Sequence, residues 1–578
     1  MASENDRGND GLSEILARTQ QNRLVVQDYR PLADSLEWQL GQHSYQRRGN
    51  KGFVADDKPI PFVVNNNGGL SAKAAELLFT ALSESERKGT LEERVFVLEL
   101  GIGVGLFARM FLDSFRDRCD RAGKDYYERL CYIAADRSEK MLIDACRHGI
   151  FADHPGRYLL RVLDADGPLT PLLADIAVHD LSPAPIRAVF LNYVLDCLPA
   201  AHLQIDDRGV RQLYIRTYLA RAVDLQERTH LTSDEIVRLA DAGDPGSLDA
   251  LAPLYGLFAS EYDYRDVGAG SLPFGEMAVG IARGKVRYTL HNYGALRCLT
   301  RLAGLTRDDG FILANDYGSV KLEDYQEPSG PQRFSESSAI GLNFALMAEC
   351  LEQSGITGWI APEEDEETLI ARMLVGEKAP QLIGRFRDLF SKKRFEETAE
   401  PLRRAREYFE QGRNELVLGA YEEALREQPS NWYLMGEVAR FLALTLRDPN
   451  AGLLLTRAAL RVNRCCSSDL WNDLGECCYL LERRTEGQQA FQKALLVNPS
   501  DPRAYYNLAV NHYVERDFPA SLRMIAEGLA VDNGGSFTQK LLNVQVSVLE
   551  LLARLRQFET RLHVDRVSHV VDRAARTV

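Results

Sequence analysis

The chain has 578 residues, of which 45% are hydrophobic and 26% charged, and it carries a net charge of −14. Its length exceeds one ordinary core and implies two or more domains, while the acidic balance argues against binding a nucleic-acid backbone as its main task. No uninterrupted apolar run is long enough to cross a bilayer, so no membrane association is expected.

The start, "MASENDRGNDGLSE", lacks the basic-then-apolar order of a secretory leader and the Arg-rich, acid-poor character of a transit peptide. Ten cysteines in so long a chain make no disulfide framework, so a reduced, cytoplasmic setting is expected. Residues 1–35 read as a polar N-terminal segment. From about 90 to 320, short β-rich runs alternate with helical ones. "RVFVLEL" precedes "LFARMFLDSFRDRCDRAG", and "RLCYIAAD" precedes "SEKMLIDACRHG"; "RYLLRVLDADG" and "IRAVFLNYVLDCLP" follow. This is the pattern of an α/β Rossmann-like, mostly parallel sheet with helices on both faces. The Asp- and Gly-rich stretch 225–275 carries two short helical patterns and reads as an inserted cap. "LHNYGALRCLTRLAGLTRDDG" then reads as a helix feeding the strand "FILANDYG"; "GLNFALMAECLEQSG" is another helix, and "TLIARMLVGE" the last strand.

From about 396 the grammar changes to helical pairs repeating near 34 residues. Ala405, Tyr408, Gly412, Tyr421, Ala424 and Pro429 mark one unit, and Trp471, Leu474, Gly475, Phe491, Ala494 and Pro499 mark a better one. A weaker unit between them, with Ala439 and Ala458, is about two residues longer, and a fourth starts at Tyr505 with Leu508 and Ala509. Small residues let paired helices approach and the proline stops the second helix. The region resembles tetratricopeptide repeats, an all-α solenoid closed by a capping helix in "SFTQKLLNVQVSVLELLARLRQF". The expected organisation is 1–35 polar segment, 36–395 α/β domain, 396–560 repeats with their cap, and 561–578 a frayed tail. Cys465–Cys466 and Cys477–Cys478 lack metal-ligand spacing and read as small buried residues of packed helices, so no metal is expected.

Chemistry concentrates in "VFVLELGIGVGLFARMF". Glu99 closes a strand, and Gly101, Gly103 and Gly105 follow, the third one residue early for a dinucleotide fingerprint. Glycines admit close backbone approach, and the helix after them offers free N–H groups to a carboxylate. An amino acid, with its ammonium group on Glu99, fits this loop better than a pyrophosphate. The next strand ends in Asp136, placed for the two hydroxyls of a ribose, and the one after it in "DADG", where Asp164 or Asp166 can accept from an adenine amino group. Together these parts compose S-adenosyl-L-methionine. The competing reading is that the aspartates cap helices.

On three stretches the chain is similar to class I methyltransferases, and more narrowly to the MidA-like family, over roughly 36–380. They are "LELGIGVGLFARMF", "FLNYVLDCLPAAHLQIDDRGVRQLYI" and "GFILANDYG". The resemblance implies an enzyme that methylates nitrogen, with Asn192, Asp196, Asp316 and Tyr317 around the acceptor. Asn192 would hold the nitrogen or cap the next helix; Asp196 or Asp316 would take a proton; Tyr317 would hydrogen-bond the acceptor. The family has Glu after the Asn where this chain has Tyr193, which leaves arginine specificity open. The turn at Asn65–Gly69 would fold over the cofactor, and the 225–275 insert would sit above the acceptor. The repeats would recruit a protein or peptide substrate. Two other readings compete: an interaction scaffold with a degenerate methyltransferase domain, kept alive by Tyr193, and an NAD-linked oxidoreductase, disfavoured by the glycine spacing.

Overall fold

The structure, a computed structural model, describes residues 23–48, 66–169, 185–220, 229–325, 330–334, 337–361, 370–376 and 379–575. The chain divides into two compact units, with the main division after Ser430. The first opens inside the stretch expected to be a polar segment, with strand β1 (Arg23–Pro31) and helix α1 (Leu36–Arg48). Val26, Leu36 and Leu40 are buried there, so this amphipathic stretch belongs to a core that its polar neighbours concealed in the sequence.

Next come α2 (Gly69–Lys88), β2 (Val95–Leu100), α3 (Leu106–Ala122), β3 (Leu130–Asp136), α4 (Glu139–Arg147), β4 (Tyr158–Val162) and β5 (Ile186–Asn192). A long excursion follows: β6 (Ala201–Asp206), β7 (Gly209–Ala220), α5 (Ser233–Ala242), α6 (Pro245–Leu251), β8 (Phe258–Asp266), α7 (Gly275–Ala282) and β9 (Tyr288–His291). After it the chain runs through α8 (Tyr293–Ala303), β10 (Thr306–Ser319), a small hairpin β11 (Gln332–Phe334) with β12 (Ser337–Ala339), β13 (Leu342–Asn343), α9 (Phe344–Gln353), β14 (Gly358–Ala361) and β15 (Ile370–Gly376).

The main sheet has the order β14-β15-β10-β5-β2-β3-β4, with β13 beside β10. β4, β3, β2, β5 and β10 are parallel; β15 runs antiparallel to β10, and β14 antiparallel to β15. Every residue of β2 is buried, and β5 is buried up to Asn192, which is why both read as mostly apolar runs, broken only by Glu99 in β2 and by Arg187 and the terminal Asn192 in β5. One face is filled by Phe107 and Phe111 of α3, packed on Phe190 of β5 at 5.5 and 5.0 Å between ring centroids. The fully buried Arg187 side chain ties β5 to the residues before β2, pairing with Glu92 and, at 2.8 Å, with Asp309.

A second, antiparallel sheet has the order β1-β7-β6-β9, with β8 on β7. Two short helices do form in the 225–275 stretch, whose residues 225–228 lie outside those described. They build a core of their own with the N-terminal segment, Ile236, Leu248 and Leu251 packing with Val26, Leu36 and Leu40. The insert therefore packs on β1 and α1, where its apolar residues find partners.

The first unit ends in α10 (Pro380–Leu389), α11 (Lys392–Glu410) and α12 (Asn414–Glu427). α10 buries Leu382, Phe386 and Leu389 and pairs Arg385 with Glu76 of α2. The first helix pair of the repeat region falls within the first compact unit, which ends at Ser430.

The second unit contains three further pairs: α13 (Trp432–Arg440) with α14 (Pro449–Val462), α15 (Ser468–Leu480) with α16 (Arg484–Val497), and α17 (Pro502–Val514) with α18 (Phe518–Asp532). Its glycines sit where helices touch: a Cβ on Gly475 would lie 2.3 Å from the Phe491 ring, and one on Gly528 would lie 2.9 Å from Tyr505 Cβ. The longer unit inferred from the sequence has a physical form, a π-helical turn at Phe441–Thr445 after α13. The cap, α19 (Thr538–Ala575), is one helix that runs on through most of the stretch expected to fray.

Candidate functional site

β2 lies between β3 and β5, so the chain moves outward from β2 to β4 and then returns to the other side of β2. At such a reversal the crossovers diverge and leave a crevice outside the carboxyl ends of the strands. Glu99 and the glycine loop close β2 there, Asp136 closes β3 and Asn192 closes β5.

All three loop glycines have positive φ: 72° at Gly101, 51° at Gly103 and 78° at Gly105. That is the region L side chains avoid. A Cβ on Gly101 would also meet Val194 Cγ2 at 2.5 Å. The loop is knitted to β3: Gly101 N–H and Ile102 N–H donate to Ala135 O at 2.7 and 3.1 Å, and Gly103 N–H donates to Asp136 Oδ2 at 3.1 Å. The other Asp136 oxygen accepts from Ser138 N–H at 2.9 Å. Burial raises the Asp136 pKa against these two bonds. Helix α4 is capped by Ser138 rather than by Asp136. Gly105 is the N-cap of α3 and brings no side chain to it, leaving the first N–H groups open.

Glu99 is 1% exposed and accepts from the Tyr132 hydroxyl at 2.7 Å. Desolvation lifts its carboxyl to about 8, opposed by Tyr132 and by the neighbouring Asn192 amide. Asn192 Nδ2 is nevertheless buried without a well-formed hydrogen bond. Its row across the sheet continues to Asn315 on β10 and Arg372 on β15. Asn315 is fully buried, and both polar atoms of its amide lack a partner. Neither Tyr132, Asn315 nor Arg372 was among the sequence candidates. Tyr132 was findable as the one phenol in an apolar strand, two positions from the residue that pairs with Glu99.

The turn after β5, Leu195–Cys197, is held by Asp316 rather than Asn192: Asp316 Oδ2 accepts from Leu195 N–H and Asp196 N–H at 2.9 and 3.2 Å, and Oδ1 from Tyr317 N–H at 2.8 Å. These three bonds give Asp316 a part in shaping the turn after β5. Asp196 beside it is 3% exposed, its Oδ1 has no partner, and burial raises its pKa to about 6. Burial and the neighbouring Asp196 push Asp316 up as well. Tyr193 stands at φ 54°, an outlier for a bulky residue, with its ring stacked on Tyr317 at 4.8 Å.

Asp164 stands apart from this group. It is exposed and accepts from Asp166 N–H at 2.9 Å, while Asp166 pairs with Arg297 of α8. Helix α1 reaches the Asp136 corner: Arg137 donates to Gln42 O at 2.6 Å, and Lys140 donates to Arg47 O at 3.0 Å. Of the Asn65–Gly69 turn, Asn65 lies outside the described residues. Gly68 has φ 93°, and Asn67 Oδ1 accepts from Gly69 N–H at 2.9 Å.

No protein-family profile matches the chain. Among curated proteins, it is 26% identical over 84 residues to the BBSome complex member BBS4 of Xenopus tropicalis, a match spanning 14% of this chain and 16% of that protein. Among solved structures, it is similar to a COG1565 superfamily member from Burkholderia thailandensis with S-adenosyl-homocysteine bound, at TM-score 0.38 and 13% identity, over 65% of this chain and 95% of that one. A structure of an uncharacterized COG1565 superfamily protein from the same organism matches at TM-score 0.36, 13% identity, over 65% and 94% of the two chains. PilF of Pseudomonas aeruginosa matches at TM-score 0.24 and 18% identity, over 28% of this chain and 70% of that one. Likenesses this distant decide nothing about the chemistry.

Proposed function

We propose that the first unit is an S-adenosyl-L-methionine-dependent methyltransferase acting on a nitrogen of a protein or peptide. The observation that carries this reading is the left-handed glycine loop bonded to Asp136 beside a buried, cation-lacking Glu99, at the reversal point of a parallel sheet. A buried carboxyl raised to about 8 is a group that gains from an ammonium partner, and the buried Asn192 amide lies beside it. These residues fit the cofactor. Glu99 would hold its ammonium, the open N–H groups at the start of α3 its carboxylate, the remaining lone pairs of Asp136 the ribose, and Asp164 the adenine edge.

When bound, the cofactor supplies an electrophilic methyl group on a sulfonium. The chain's own residues do the rest. Asn192 orients the acceptor nitrogen, and alignment with the donor is most of the catalysis. Asp196, whose Oδ1 carries no hydrogen bond, takes the acceptor's proton. Tyr317, stacked under Tyr193, shapes the acceptor wall. The helical repeats recruit the substrate; among the described residues no helix is long and apolar enough to cross a membrane.

The non-catalytic alternative draws on one observation: the Tyr193–Tyr317 stack occupies the acceptor corner. Incubation with methyl-labelled cofactor and a cell lysate separates the two readings. Labelled protein is the expected result. Cofactor binding without any labelling favours the scaffold, and tighter binding of NAD than of S-adenosyl-L-methionine ends the methyltransferase reading.

A further inference from the structure

In the second unit, the loop between α14 and α15 carries Cys465 and Cys466, each 6% exposed, with their sulfurs 3.3 Å apart. Neighbouring residues ordinarily point apart, as Cys477 and Cys478 do on α15. There the Cys477 sulfur faces Gly452 and the Cys478 side chain faces Gly487. The 463–467 loop is neither helix nor strand, and its turn brings the two thiols to one side. Asn463 fixes that turn by accepting the Cys466 N–H at 3.0 Å through Oδ1, and its Nδ2 is buried with no partner. The expectation that both cysteine pairs sit in packed helices therefore fails at Cys465–Cys466, because this pair lies in the loop.

The separation selects the kind of centre two such sulfurs can hold. Tetrahedral zinc, with Zn–S bonds of about 2.3 Å, spreads two thiolates to about 3.8 Å, and a structural site needs four ligands. Among the described residues, no group of three or more His, Cys, Asp or Glu is placed to hold a metal. A pyramidal trivalent atom with bonds of about that length at near right angles spans about 3.3 Å. We propose that Cys465 and Cys466 form a vicinal-dithiol site for trivalent arsenicals. With an organoarsenic(III) oxide, two As–S bonds form and the arsenic–oxygen bond breaks. Both thiol protons leave with that oxygen as water, and nothing is oxidised or reduced. Exposed Arg464 places the pair in a surface loop, so local opening admits the ligand without disturbing the helix pairs.

The test treats the full chain with phenylarsine oxide, removes the excess and measures intact mass. The expected result is one adduct per chain, stable to 2-mercaptoethanol and released by 2,3-dimercaptopropanol. Cys465→Ser and Cys466→Ser should each lose the adduct, while Cys477→Ser and Cys478→Ser should keep it. No adduct on the parent chain, an adduct surviving in both loop variants, or loss in the α15 variants alone would each overturn the site. Circular dichroism reports whether the variants fold. Should a loop variant unfold, peptide mapping of the parent chain decides: the arsenical must protect Cys465 and Cys466 from iodoacetamide.

Discussion

At the residue scale, Glu99 makes the sharpest claim. With its carboxyl near 8, it is mostly protonated at pH 7, and an ammonium partner favours the ionised form. Cofactor binding should therefore release close to one proton at pH 7, seen as buffer-dependent heats in calorimetry. Affinity should rise with pH up to about 8 through this group. Glu99→Gln should weaken binding and flatten that dependence, and running the two proteins in parallel cancels the ligand's own titration. The sign for stability is the reverse. A carboxyl whose folded pKa is raised costs stability as pH climbs from its unfolded value toward 8, so Glu99→Gln should raise Tm at pH 8 relative to the parent before cofactor is added. Asp196→Asn should cut methylation by roughly 10²–10⁴-fold while leaving cofactor affinity unchanged, because the lost lone pair serves the acceptor and not the cofactor. Equal activity in that variant would remove Asp196 from the proton path. The strain at Tyr193, of about 1–3 kcal/mol, sits between Asn192 and the turn that Asp316 holds, where the acceptor would bind.

At the element scale, the glycine loop is shaped by its own backbone and by β3 together. Gly103→Val should abolish cofactor binding with helix content near normal, since φ of 51° strains a β-branched residue and displaces the N–H that Asp136 accepts. A folded variant with unchanged affinity would place the site elsewhere. The Arg187 cluster makes a different element-level claim. Its side chain is fully buried between Glu92 and Asp309, so Glu92→Ala leaves a partly uncompensated cation in the core. The expected cost is about 3 kcal/mol, read as a lower urea midpoint with little change in m.

At the scale of the whole molecule, the question is where the chain can be cut. α10 packs on α2, and a Cβ on Gly68 would lie 2.9 Å from Ser430 Cβ, so the end of the first repeat abuts the turn that starts α2. A fragment ending at 395 interrupts α11 and removes α12, which belong to the same compact unit; it should be less stable and aggregate more than one ending at 430. The fragment ending at 430 should bind cofactor like the full chain, because Glu99, Asp136 and Asn192 all lie within it. It should lose labelling of the native partner if the later repeats supply docking energy. Equal labelling by fragment and full chain would leave those repeats to oligomerisation or regulation.

Much of this architecture is local and was legible without a fold. Strand–helix alternation, the apolar runs of β2 and β5, the loop glycines and the spacing of Gly475 to Phe491 all follow from nearest-neighbour chemistry, which a linear pattern records. So does the extra length of the second repeat, later seen as a π turn. Other features depend on residues far apart in the chain, which no window can pair. β1 fell in a stretch that looked polar because Ile236 and Leu251, the apolar partners of Val26, lie some two hundred positions away. Asp316 read as one of two alternative proton acceptors, and only β10 beside β5 showed that it also sits under the N–H groups of Leu195 and Asp196. Asn315 drew no notice within "NDYG", and only sheet register set it in line with Asn192. The residue types that carry the proposed chemistry were determined by the sequence alone. Which of them keep a free lone pair for a ligand was decided by the tertiary structure, because a polar atom is free only when no distant backbone has already claimed it.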